Sequence, residues 1–141
     1  MPRNSRTLAW GAATAPSLDD IEALAEETYA KLPAEFRALC EGLIIQVVDF
    51  PDEETLEQME ASSEFDLLGL FHGRGLAQRG AADETGALPN MVWLYRRPLL
   101  DFWCEGEDTL GAVVAHVLVH EIGHHFGLSD EDMEAIEAGA E

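Results

Sequence analysis

The chain has 141 residues, 47% hydrophobic and 26% charged, which suits one soluble domain with its own apolar core. Eight basic against 28 acidic residues leave a net charge of −20. That balance argues against nucleic acid and anionic membrane as partners, since both are held by basic side chains that neutralise phosphate.

Residues 1–16 show no periodicity and are expected as a loose tail ahead of one domain over 17–141. Ser17-Leu-Asp-Asp20 has the shape of a capping box. Ile21, Leu24, Ala25, Thr28 and Leu32 then share one face, which predicts a helix over roughly 18–31 that ends before Pro33. Residues 33–41 read as a second short helix. Leu43–Val48 is a β-rich run stopped at Phe50-Pro51, a strand. The acidic stretch that follows predicts an exposed helix over Glu53–Ala61, with its charges solvated. Leu67–His72 reads as a second strand, the segment from Gly73 to Asn90 as a polar loop, and Met91–Tyr95 as a third strand. A short helix is expected over Leu99–Cys104, after Pro98. Asp108 or Thr109 caps a long helix, about 109–126, that carries no charge before Glu121 and should be buried. Helices precede the first strand and a buried helix follows the last, so there is no regular βαβ alternation. The fold class predicted is α+β, with a small mixed or antiparallel sheet packed on the buried helix and the N-terminal helix.

The longest apolar run, Leu110–Val119, falls well short of the ~20 residues of a membrane span. The N-terminus lacks the sustained apolar core of a secretory signal. Cys40 and Cys104 form neither a metal spacing nor a disulfide framework and are expected as buried thiols. A monomeric protein of the cytoplasm is the expectation.

The chemistry concentrates in His116-Val-Leu-Val-His-Glu-Ile-Gly-His-His125, which holds four of the five histidines. His120 and His124 stand one turn apart on one helix face, where two imidazoles can take two corners of a zinc tetrahedron. Glu121 is rotated about 100° from His120 at 3.6 residues per turn. It is therefore not aimed as a ligand but can reach the fourth, water-bearing corner as a general base. With 5 His in 141 residues, H-E-x-x-H is expected by chance only roughly 0.02 times. Gly127 suits a left-handed residue just past the helix end, a sharp reversal that returns Asp130 toward the histidines as a third ligand. Asp130 also fits a plainer role. Ser129 can cap the next helix, with Asp130 favouring its N-terminus.

His120, Glu121, His124, Gly127 and Asp130 together spell H-E-x-x-H-x-x-G-x-x-D, which resembles the zinc-binding sequence of metzincins with Asp in place of the third His. With Val48-Asp-Phe-Pro51, Leu68-Gly-Leu70 and Leu94-Tyr-Arg-Arg-Pro98, the chain resembles a family of small bacterial zincin-like metallopeptidases over roughly residues 17–137. The resemblance implies a compact α+β zincin fold, one Zn²⁺ on His120, His124 and Asp130, and Glu121 as catalytic base. Only 11 residues follow Asp130. Met133 is too close to serve as a metzincin methionine turn, and the lower subdomain behind that turn is expected to be missing.

The reaction expected is hydrolysis of a peptide bond, in a peptide or protein substrate whose basic character would suit the acidic chain. Two other readings stand beside it: a zinc hydrolase of a non-peptide bond, and a zinc-holding interaction or regulatory module without turnover. The open fourth corner favours catalysis, because structural zinc is usually closed by four protein ligands. His116 is one turn ahead of His120 and is expected to be a core or supporting histidine rather than a third helical ligand. His125 is expected to be structural or at the cleft rim, and His72 a surface residue. Arg96 and Arg97 can bind a substrate carboxylate, but pairing with the chain's own acids is the expected role.

Overall fold

Alternation of apolar side chains builds the sheet. The computed structural model describes residues 10–72 and 89–140. Ile44–Val48 (β1) and Met91–Tyr95 (β3) pair in parallel, with Ile45 opposite Val92 and Val48 opposite Tyr95. Gly69–His72 (β2) pairs antiparallel with the other edge of β3, giving the order β1-β3-β2. Val92, Leu94, Ile45 and Phe71 point to the same side and are buried, as the two-residue period of a half-buried sheet requires. The sheet is mixed and small, within an α+β arrangement, as expected.

Helix α1 (Leu18–Ala30) starts at a complete capping box. The Ser17 hydroxyl accepts from the Asp20 amide at 3.0 Å, and the Asp20 carboxylate accepts from the Ser17 amide at 2.8 Å. Its Ile21 and Ala25 are fully buried, and the chain leaves the helix before Pro33. The expected second helix is split into a short α2 (Ala34–Arg37) and a 3₁₀ turn over Ala38–Cys40. Helix α3 (Glu53–Gln58) buries no residue, in keeping with a solvated acidic face. Helix α4 (Arg96–Glu105) begins three residues earlier than the position of Pro98 suggests. Proline is tolerated there because the first-turn amides have no intrahelical acceptor anyway. Of the expected tail, residues 1–9 lie outside the described residues, while the Pro16 carbonyl accepts from Arg96 Nε at 2.6 Å. Most of the polar loop expected over 73–90 also lies outside them.

Helix α5 (Leu110–His125) runs through the middle. The Thr109 hydroxyl caps it by accepting from the Ala112 amide at 3.1 Å. Val113, Val114, Val117, Leu118, Val119 and Ile122 all belong to the core. α1, the sheet and the last helix, α6 (Asp130–Ala140), cover it from different sides. Gly69 lets β2 lie close against it. A Cβ there would stand 2.8 Å from Val117 Cγ1 and 3.0 Å from the Trp93 carbonyl oxygen.

Both cysteines are free thiols. Cys40 is buried as expected, and Tyr29 Oη stands 3.2 Å from its sulfur. Cys104 is not buried: it lies in the last turns of α4, where that helix faces solvent.

The contact between α5 and α6 is equally close. A Cβ on Gly123 would fall 2.5 Å from Met133 Sδ and 2.9 Å from its Cγ, and Met133 is fully buried. Gly123→Ala is therefore expected to lower unfolding stability by about 1–3 kcal/mol through overpacking, read as a drop in the urea midpoint. In the Met133→Ala background the same change should cost much less, because the clashing atoms are gone. Equal midpoints for Gly123→Ala and wild type would show that the helices do not meet as closely as described.

Candidate metal centre

The end of α5 makes a tight reversal. The Leu128 amide donates to the Gly123 carbonyl at 2.9 Å, and the Gly127 amide to the His124 carbonyl at 3.2 Å. Gly127 itself has φ +77°. This is the paired bonding of a helix ended by a left-handed glycine, where a side chain would be strained. Ser129 then caps α6, accepting from the Asp132 amide at 3.1 Å. The cap foreseen at Ser129 and the reversal foreseen at Gly127 are both present. Asp130, exposed in the first turn of α6, shares one side of that helix with Met133 and Glu137, three and seven residues on. Met133 puts that side against α5.

His120 is half-buried and His124 exposed. Their ring centroids are 5.5 Å apart at 84°. Two imidazoles sharing one tetrahedral ion at 2.0–2.1 Å would have ring centres about 5 Å apart, so this pair fits a common ion. Two imidazoles with a carboxylate on the facing helix also match the donor set of a catalytic zinc.

The side chains converge elsewhere, however. Among the described residues, the group whose ligand atoms all lie within 4.8 Å of one another is His116, His120 and Glu137. His116 Nδ1 stands 2.9 Å from Glu137 Oε1 and His120 Nε2 stands 3.1 Å from Glu137 Oε2. The carboxylate that meets His120 is thus Glu137, and not Asp130. The His116 and His120 rings stack at 4.0 Å and 34°. His116 is exposed, so it supports His120 from the rim and is no core residue. Glu137 was not singled out in the sequence. Its one available signal was its place two helical turns after Asp130, on the same side of α6.

Glu121 has no hydrogen bond or ion pair among the described residues, and desolvation by burial pushes its carboxyl up to about 7. Burial of Tyr95, at the end of β3, and then the nearby Asp52 and Glu121 charges raise its phenol to about 12. It stays protonated at neutral pH. His125 turns away onto Phe71, with ring centroids 4.3 Å apart, and its Nε2 is buried without a partner. Burial lowers its pKa. His72 is exposed at the end of β2. Arg96 Nη1 pairs with Asp49 Oδ1 at 3.0 Å, and Arg97 lies 5.6 Å over the Phe50 ring. Arg96 thus pairs with one of the chain's own acids, as expected, while Arg97 packs on an aromatic ring.

The Glu121 shift fixes a pH dependence for the metal-free protein. Its folded pKa of about 7 lies above the ordinary glutamate value of 4.5, so protonation favours the fold. That contribution is fully present below about pH 4.5, declines as pH rises, and is lost above about 7. Between pH 4.5 and 8, wild type should lose about 2–3 kcal/mol relative to Glu121→Gln. Parallel stability profiles for the two chelator-treated proteins would show that Glu121 is not desolvated.

A family model described as zincin-like metallopeptidase matches residues 40–140, from the 3₁₀ turn before β1 to the end of α6. A comparison with curated proteins finds no match. The matched span takes in the whole sheet, the H-E-x-x-H helix and the helix that folds back on it, and on that span the chain belongs to the zincin-like metallopeptidase family.

Proposed function

We propose that the protein is a zinc-dependent peptidase, with His120, His124 and Asp130 as the metal ligands and Glu121 as the general base. Membership of a metallopeptidase family supports the hydrolase reading. The observation that carries it to these residues is Glu121, a desolvated carboxylate without an ion pair or hydrogen bond among the described residues, next to a ligand-competent histidine. A scaffold has little reason to bear that cost. A base has one, because a carboxyl tuned near neutrality both takes and returns a proton at working pH.

Bound to this ligand set, zinc would supply a Lewis acid for the scissile carbonyl and an attacking water of lowered pKa. Glu121 would serve as the base that accepts a proton from the attacking water and returns it to the departing amine. Burial of α5 beneath the sheet and α1 holds the Glu121 carboxylate away from bulk solvent, which strengthens its interactions with the reacting groups. Tyr95, protonated at neutral pH, offers a hydrogen-bond donor near Glu121. The charge of −20 favours extended, basic peptides as substrates.

The test of the base is a peptide-library digest with zinc-loaded wild type, Glu121→Gln and a chelator-treated control. Glu121→Gln is expected to retain one zinc while losing about 10²–10⁴ in rate. The same cleavage pattern in all three samples, or cleavage in none across a range of pH and metals, rejects the peptidase and favours a zinc-holding interaction module. Asp130→Ala should weaken zinc binding in calorimetry with the fold intact. An affinity equal to wild type would leave Asp130 only its place beside the Ser129 cap.

A further inference from the structure

Glu137 is one of 28 acidic residues in a chain whose acids mostly face water, yet its side chain is only 22% exposed. Each of its oxygens meets a different imidazole, His116 Nδ1 at 2.9 Å and His120 Nε2 at 3.1 Å. An ionised carboxylate can only accept, so both ring nitrogens donate, and His120 carries hydrogen on Nε2. That nitrogen faces α6. An ion that joins His120 to an α6 carboxylate has to lie in the same direction, between the two helices. Zinc bound to Nε2 along that line would stand only about 1 Å from the Glu137 oxygen, so the two exclude each other. The proposed ligands are not gathered there either. Among the described residues, the group whose ligand atoms lie within 4.8 Å of one another is His116, His120 and Glu137, without His124 or Asp130.

We propose that Glu137, braced by His116, is an internal competitor for zinc: it occupies the His120 nitrogen that the ion must take, and zinc uptake breaks their contact. The hydrogen on Nε2 has to leave, because a ligating nitrogen offers its lone pair, and in the neutral ring it moves to Nδ1. The displaced carboxylate keeps a partner in His116, 2.9 Å from its other oxygen. The contact also ties the last turns of α6 to α5, so filling the centre loosens that end of α6 while Asp130 anchors its start. The strength of the lost hydrogen bond is subtracted from zinc affinity, which raises the zinc concentration at which the centre fills. His116, His120 and Glu137 do not themselves make a good ligand set. Their two rings are stacked at 4.0 Å, closer than the separation of about 5 Å that a shared tetrahedral ion allows.

The proposal rests on the zinc reading in taking His120, His124 and Asp130 as ligands, and its test separates the two. Long-range ¹H–¹⁵N spectra report which His120 nitrogen carries hydrogen, and chelator competition reports zinc affinity. Wild type, Glu137→Asp, Glu137→Ala and His124→Ala are compared, each checked for folding by its melting temperature. Glu137→Asp keeps the charge but is one methylene too short to hold the contact. Chelator-treated wild type is expected to carry hydrogen on His120 Nε2, and zinc-loaded wild type on Nδ1 with Nε2 bound to the ion. Zinc affinity should rise about 3–30-fold in Glu137→Asp, rise less in Glu137→Ala, which also loses an attractive charge, and collapse in His124→Ala. A zinc-loaded His120 that still carries hydrogen on Nε2 overturns the proposal. So does an affinity no higher than wild type in both Glu137 variants, and a loss as deep as that of His124→Ala would make Glu137 a ligand. If neither wild type nor the Glu137 variants take up zinc, the ligand set itself fails and the competition with it, a result distinct from the others.

Discussion

The site depends on one close approach, between the backbone of α5 at Gly123 and the side chain of Met133 on α6. A Cβ at Gly123 would stand 2.5 Å from the Met133 sulfur, so any larger residue at 123 would force Met133 to shift. The left-handed turn at Gly127 directs the chain into that position. Once Met133 is seated, helical periodicity dictates what else faces α5: Asp130 one turn before it and Glu137 one turn after. Glu137 is thus brought to His116 and His120 by a packing contact in which it takes no part. The cluster of His116, His120 and Glu137 is a consequence of how two helices pack.

Electrostatics sharpens the contrast between the centre and its surroundings. Among the described residues no polar or charged side chain belongs to the fully buried set, and α5 is lined by Val, Leu, Ile and Ala almost to its end. Glu121 departs from that pattern in the middle of the histidines, between His120 and His124. Desolvation raises its pKa to about 7, a cost to folding at neutral pH that an apolar residue would not incur. Local choices that oppose stability tend to mark function. Here the opposition falls on Glu121, the residue proposed as the base.

Much of this was legible in the sequence, for identifiable reasons. Capping chemistry is local, so Ser17, Thr109 and Ser129 announced three helix starts, and Gly127 announced a helix end. The strands at 44–48 and 91–95 followed from apolar β-rich runs. The start of α4 was less clear, because Pro98 reads as a break although it fits a first turn. Cys104 looked apolar from its neighbour Trp103, but exposure is decided by which side of α4 meets the core. Glu137 could not be singled out from sequence spacing alone, since its role depends on how α6 docks. Among seventeen other glutamates nothing local distinguishes it. His116 was legible as a helper of His120, but its position at the exposed rim was not.

The central proposal is that one ion sits on His120, His124 and Asp130, with Glu121 as the general base. A crystal structure of the zinc-loaded protein tests it most directly. The account predicts a single zinc with two imidazole bonds of about 2.0–2.1 Å and one Asp130 oxygen at about 2.0–2.2 Å, and the Glu121 carboxylate facing the open fourth position. Zinc held instead by His116, His120 and Glu137, or a fourth protein ligand closing the site, would contradict it.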